Sequence, residues 1–326
     1  MTRRAKGAFA AMSVLWGVSY LLIRIAVRGG LPAADVAWLR VTIAAVLLLT
    51  ISWRAGTLGA VRGRWRWLAV FAVVEISIPF PLIAAGEVHV ASSLAAIIIA
   101  AVPLIGAVLA LRFDHSERPS RARAAGLAVG FGGVVLLLGV DVAGNRDQLL
   151  GACAILVAAV GYSIGPMIVK HRLGGIEPPA MMGAGLALAT VILAPFALAA
   201  SPSRAPSAGA LAAVAALGVF CTALAFVVFA VLIREVGTSR ATVITYVNPV
   251  IALALGVLLL GERPGAGALA GLLLILAGSY LSTGGRLPGR RTARARDQPV
   301  GEHPDDVGER PDEGANRLGR VSRLLD

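Results

Sequence analysis

Metal and redox chemistry have almost nothing to work with in this sequence. It holds two cysteines, Cys153 and Cys221, each inside an apolar run. There is no Cys-x-x-Cys spacing, which excludes a disulfide framework and a thiolate metal site. The four histidines, His89, His115, His171 and His303, fall in loops or in the tail at no metal-ligand spacing, so neither metal nor cofactor is expected. Charge is scarce too: 15% of residues are charged and 57% apolar, where a soluble domain carries about a quarter charged. A Walker A motif is missing, which excludes ATP-driven transport by this chain alone. HExxH, GxSxG and paired mid-span aspartates are also missing, so intramembrane catalysis has no recognisable constellation. The net charge of +12 does not point to nucleic acid, because the basic residues are scattered between apolar runs without interleaved aromatics.

What the chain has is apolar length, with a mean hydropathy of +0.81. Runs such as FAAMSVLWGVSYLLIRIAV and VNPVIALALGVLLLG approach the roughly 20 residues a helix needs to cross hydrocarbon. The pattern predicts an all-α integral membrane protein. Its ten spans are placed over 8–28, 33–52, 66–86, 91–111, 122–140, 149–170, 180–200, 209–232, 240–260 and 265–284. The basic N-terminus before an apolar stretch has the look of a signal peptide, but the stretch is too long and more spans follow, so it reads as an uncleaved first span. Residues 286–326 are polar and rich in Pro and Gly, and are expected to form a disordered tail. With the N-terminus inside, the inner segments carry 20 Lys and Arg against 4 outside. This predicts a multi-pass cell-membrane protein with both termini cytoplasmic.

The chain also repeats itself. At a shift of 146 residues Arg24 falls on Lys170, Gly29 on Gly175, Pro32 on Pro178, Phe80 on Phe226 and Pro103 on Pro249. At 145, Glu117-Arg118-Pro119 meets Glu262-Arg263-Pro264, Gly126 meets Gly271 and Gly133 meets Gly278. The first repeat covers 7–140 and the second 149–284. Each holds five spans, an odd number, so the second enters the membrane from the opposite side. Inverted repeats of this kind enclose a central path in secondary transporters. A duplicated scaffold or sensor without transport is the alternative, and a membrane-embedded enzyme or channel a more distant one.

Specific stretches carry a family resemblance: LWGVSYLLIR, WLRVTIAAVLLL, ASSLAAIIIAAVPLIGAVLALRF running into ERP, and above all VITYVNPVIALALGVLLLGERP. In these the chain resembles a ten-span EamA-type member of the drug/metabolite transporter superfamily, over about residues 7–284. It departs from the family where Ser116 replaces the usual glycine before the first Glu, in a loop one residue longer. The resemblance implies a permease that exports or exchanges small metabolites, commonly amino acids or drug-like solutes.

Candidate site residues follow from depth. Ionisable groups inside a span are costly and face a cavity or bundle interior, and three stand out: Arg24, Arg40 and Glu75. With 1.5 Å rise per residue, Arg40 lies roughly 5 Å and Arg24 roughly 9 Å outward of Glu75. Glu75 and Arg40 are expected to pair across the cavity, where substrate or a coupling proton competes; a static ion pair that fixes packing is the other reading. Both arginines match basic positions common in the family, which implies an architectural part for them. An aromatic and polar set joins them: Trp16 and Tyr20 one turn apart, Tyr162 at the repeat position of Trp16, and Tyr246 with Asn248. Pro79, Pro81, Pro103 and Pro249 interrupt spans and free carbonyls that a cavity can satisfy. Trp53, Trp65 and Trp67 read as interfacial anchors. Gly126 and Gly130, with Gly267 and Gly271, form GxxxG pairs that let spans five and ten pack closely within one chain or between two copies. The partners expected are therefore a small solute, protons and lipid, with monomer and homodimer both open.

Overall fold

A computed structural model of the chain describes residues 2–113, 121–200, 202, 205–236 and 244–282. The first Glu-Arg-Pro, the start of the ninth predicted span and the tail lie outside the described residues. Among the described residues ten apolar helical segments form, beside a short 3-10 turn at Leu58–Val61: α1 (Arg3–Arg28), α2 (Ala33–Arg54), α3 (Trp65–His89), α4a (Ser92–Ile99) with α4b (Val102–Phe113), α5 (Arg121–Asp141), α6 (Arg146–Arg172), α7 (Pro178–Ala199), α8 (Ala208–Val236), α9 (Ile244–Leu260) and α10 (Ala266–Ser282). Eight of these are long and apolar enough to cross a membrane, and α9 and α10 are shorter apolar helices. The protein is an all-α, multi-pass membrane protein built of two inverted five-helix repeats.

Local chemistry sets the helix starts. Thr2 Oγ1 accepts from the Ala5 N–H at 3.0 Å to begin α1, and Ser207 Oγ accepts from the Ala210 N–H at 3.1 Å to begin α8. Asn145 Oδ1 accepts from Asp147 and Gln148 at the start of α6. These are N-cap contacts that satisfy otherwise orphaned donors. Pro178 occupies the first turn of α7, where its missing N–H costs nothing. Leu198, Leu258 and Val191 stand exposed outside the bundle, as expected of side chains that meet lipid rather than water.

Packing follows the internal two-fold. α2 lies on α7, where the Trp38 indole donates to Thr190 O at 3.1 Å. α5 lies on α10 along a seam of glycines. A side-chain carbon on Gly133 would sit 2.8 Å from Gly271 O, and one on Gly271 2.8 Å from Gly133 O. Gly126 and Gly278 meet in the same way, at 2.9 and 2.5 Å from each other's carbonyls. The 145-residue shift turns the first contact into the second, so the two are symmetry mates. Gly267 sits against Val140 and Asp141, and Gly130 against Leu104.

The repeats also share a backbone irregularity. α3 widens to a π-helix over Ala72–Ser77, and α8 does so over Val219–Leu224. The two match within one residue of the sequence shift. Such wide turns are rare and occur often at functional sites.

Candidate functional site

Two prolines directly follow the widened turn of α3. Pro79 and Pro81 remove two amide donors, and Ile78 N–H reaches back five residues to Val73 O at 3.0 Å. The wide turn carries Glu75 on its inner face. Across from it α6 offers Gly161 and Gly165. A side-chain carbon on Gly161 would collide with Val74 O, and one on Gly165 would lie 2.6 Å from Glu75 Cδ. The carboxyl therefore rests flat against the backbone of α6, where only glycine leaves room. Glu75 Oε2 is buried and accepts no hydrogen bond among the described residues.

The matching turn of α8 presents Thr222. Its hydroxyl donates to Leu217 O and accepts from Arg40 Nε, both at 2.8 Å. The guanidinium carbon of Arg40 stands 4.2 Å from the centre of the Phe80 ring, a cation–π contact. This corrects the expected Glu75–Arg40 pair: among the described residues no carboxylate lies within ion-pair distance of Arg40. Height along two helices does not say which way they turn, and the Thr222 hydroxyl and the Phe80 face reach Arg40 first.

Glu75 and Arg40 nonetheless border one cavity of about 910 Å³ between the repeats. Trp16, Tyr20, Tyr162, Tyr246, Asn248, Pro103 and Pro249 line it as well. Its aromatic walls obey the two-fold. Trp16 meets Phe226 edge-on (6.1 Å between centroids, 73°), and Tyr162 meets Phe80 likewise (6.4 Å, 82°). Each pair joins one repeat to the other. Asn248 Oδ1 is buried without a partner among the described residues. Just before Pro103, at Ala100 and Ala101, the fourth span breaks between α4a and α4b, and Ser163 Oγ donates toward Val102 O at 3.0 Å. The cavity extends toward the ends of α4b and α10, past Ala110, Arg123 and Ser282, which is the end where α1 begins. At the other end its lining stops at Ile83 and Ala96, about a turn short of Ser92.

Three predicted residues lie elsewhere. Arg24 is not among the residues that line the cavity: it is buried and donates through Nη1 to the main-chain oxygen of Glu87. Pro79 and Pro81 follow the wide turn of α3 and do not line the cavity. Sequence reasoning missed Thr222, Gly165 and Glu87. The repeat shift could have found Thr222, because it sets Glu75 beside that residue. Glu87 was missed because α3 runs to His89, past the predicted end of the span, which leaves this carboxyl fully buried.

Glu262, in the loop ahead of α10, is half-buried and turned inward. Oε1 accepts from the N–H and the hydroxyl of Ser92, each at 2.8 Å, and Oε2 accepts from the Ser93 N–H at 2.9 Å. Burial alone would push this carboxyl up, but the donors of Ser93 and Ser92 outweigh it and hold it below the usual carboxylate range. It is charged at neutral pH.

Comparison with known proteins places this architecture. The sequence model of the EamA-like transporter family matches residues 6–139 and 149–284. An uncharacterized inner membrane transporter of Escherichia coli K12, YedA, is 29% identical over 266 residues, covering 78% of this chain and 83% of that protein. A protein of Streptantibioticus cattleyicolor, described as a probable terminal-alkyne amino-acid exporter, is 30% identical over 301 residues, or 89% of this chain and 97% of its own. One described as a probable amino-acid metabolite efflux pump, from Salmonella typhimurium, is 29% identical over 196 residues, covering 56% and 64%. A solved structure superposes with a TM-score of 0.62 at 21% identity, over 87% of this chain and 97% of the other; it is similar in fold.

Proposed function

The chain belongs to the EamA-like transporter family, and from that premise we propose that it exports a small amine-bearing metabolite of the amino-acid class through the cavity between its repeats. The observation that carries this reading is the chemistry of that cavity. One wall bears a buried carboxylate with an unused oxygen, Glu75, and another bears Arg40, which among the described residues hydrogen-bonds only through Nε. A zwitterion set between them meets an anion at its ammonium and a cation at its carboxylate. The edge-on aromatic pairs supply an apolar surface for its side chain. A volume of about 910 Å³ suits a ligand of this size, since ligand pockets run to roughly 300–1,000 Å³. The amino-acid exporters among the relatives support the class.

Orientation completes the proposal. The positive-inside distribution sets both termini, and with them the open end of the cavity, on the cytoplasmic side of the inner membrane. Solute then enters from the cytoplasm and leaves after the repeats rock. Glu75 can exchange its solute for a proton, which makes the proton the coupling ion. One chain encloses the whole path, and the glycine seam of α5 and α10 is spent inside it, which favours a monomeric unit.

The test is flux into proteoliposomes across a panel of amino acids and amphipathic amines, with and without a pH gradient. Saturable flux is expected for amine-bearing solutes, larger with the gradient, and none for the N-acylated analogues. Equal flux for amines and N-acyl analogues would sink the amine reading, and no saturable flux for any solute would sink export itself.

A further inference from the structure

The end of the bundle opposite the cavity mouth is closed by a contact that joins the two repeats. Ser92 and Ser93 open α4a in the first repeat, and Glu262 lies between α9 and α10 in the second. The first residues of a helix present amide donors with no partner inside the helix, and the carboxylate of Glu262 takes two of them together with the Ser92 hydroxyl. The loop is shaped for this. Gly261 adopts φ +64°, a left-handed turn natural to glycine, and Glu262 N–H donates back to Gly256 O at 3.0 Å. At Gly256 a side-chain carbon would collide with Glu262 Oε2. The missing side chain there is what leaves room for the carboxylate.

We propose that Glu262 is the latch that holds this end of the transporter shut, a positioning residue whose release from α4a opens the cavity to the opposite face. The cavity supports this role. Its lining ends at Ala96, about one turn below the residues Glu262 holds. α4a is itself a short segment, separated from α4b at Ala100 and Ala101, so it can swing at that break without dragging the whole span. Arg24 stands on the same side but spends Nη1 on the main chain of Glu87. The donors of α4a, and no ion pair among the described residues, therefore answer the Glu262 charge. Rocking of the repeats separates donor from acceptor and breaks all three bonds together.

The test needs no knowledge of the solute, so it stands or falls apart from the amine reading. In the full chain, with Cys153→Ser and Cys221→Ala, a cysteine at Ala96→Cys is reacted with a membrane-impermeant maleimide. The reagent is applied to the membrane face on which Glu262 lies. Glu262→Gln and Gly256→Ala should each raise the labelling rate on the order of ten-fold, equivalent to about 1.4 kcal/mol. Ser92→Ala, which removes one of the three bonds, should raise it less and serves if the other variants fail to reach the membrane. Unchanged labelling in every variant that reaches the membrane would overturn the latch. So would a fall in thermal stability with no change in labelling, the mark of a merely structural cap.

Discussion

Glu75→Gln is expected to lower transport efficiency for amine-bearing solutes about a hundred-fold, because removing one partner of a buried charge contact costs on the order of 2–5 kcal/mol. The substitution preserves shape and removes charge, and the seat against Gly165 fits either side chain. Folding should therefore survive and the loss should lie in solute handling. Flux that remains should also lose its dependence on the pH gradient, since glutamine takes up no proton. Normal flux with normal pH dependence in Glu75→Gln would remove Glu75 from both solute binding and coupling. Glu75 borders the cavity and its Oε2 has no hydrogen-bond partner among the described residues, while Arg40 is engaged by Thr222 and Phe80, so the analogous change at Arg40 should cost less.

The second large effect is on folding. Gly278→Leu should abolish assembly of the repeats. A side-chain carbon there would sit 2.5 Å from Gly126 O and overlap the Gly130 backbone. Overpacking a tight contact costs about 1–3 kcal/mol when side chains can yield, and here the obstacle is main chain on a neighbouring helix. We expect no monodisperse peak on size exclusion and no cooperative melting transition. Gly132→Leu is the control: nothing lies within 4 Å of a side-chain carbon there, and leucine favours helix over glycine by roughly 1 kcal/mol. It should fold as well as the parent. A well-folded Gly278→Leu protein would show that the α5–α10 seam is looser than its backbone contacts require.

The contrast between those glycines shows what sequence can and cannot say. Gly126, Gly130, Gly267 and Gly271 were legible as close-packing positions from their GxxxG spacing, whereas Gly133 and Gly278 were legible only as repeat equivalents of each other. Trp16 with Tyr162 and Phe80 with Phe226 were legible as equivalents for the same reason. Their pairing across the repeats was not, because an offset relates positions without saying which equivalents touch. The widened turns of α3 and α8 left no periodic signal, since both lie in long apolar runs broken only by Glu75 and Ser77 in one and Thr222 in the other. Glu75 and Arg40 were at suitable depths, yet depth leaves rotation about the helix axis open, and a single hydroxyl on Thr222 decided the matter. A charge beside a proline ahead of a helix normally stays in water, and nothing in the sequence marks Glu262 as an exception. The turn at Gly261 and the bare backbone at Gly256 bring it inward instead, and only three-dimensional proximity reveals the donors of Ser92 and Ser93.

Central to the account is an ammonium held by Glu75 between the repeats, and equilibrium binding in a double-mutant cycle tests this most directly. The ligands are a transported amino acid and its N-acetyl derivative, each measured against the parent protein and Glu75→Gln. Where two groups interact, removing both costs little more than removing either. N-acetylation should therefore weaken binding to the parent by about as much as Glu75→Gln does, and should cost almost nothing further in the variant. If N-acetylation costs the same in Glu75→Gln as in the parent, the amine is bound elsewhere and the account is wrong.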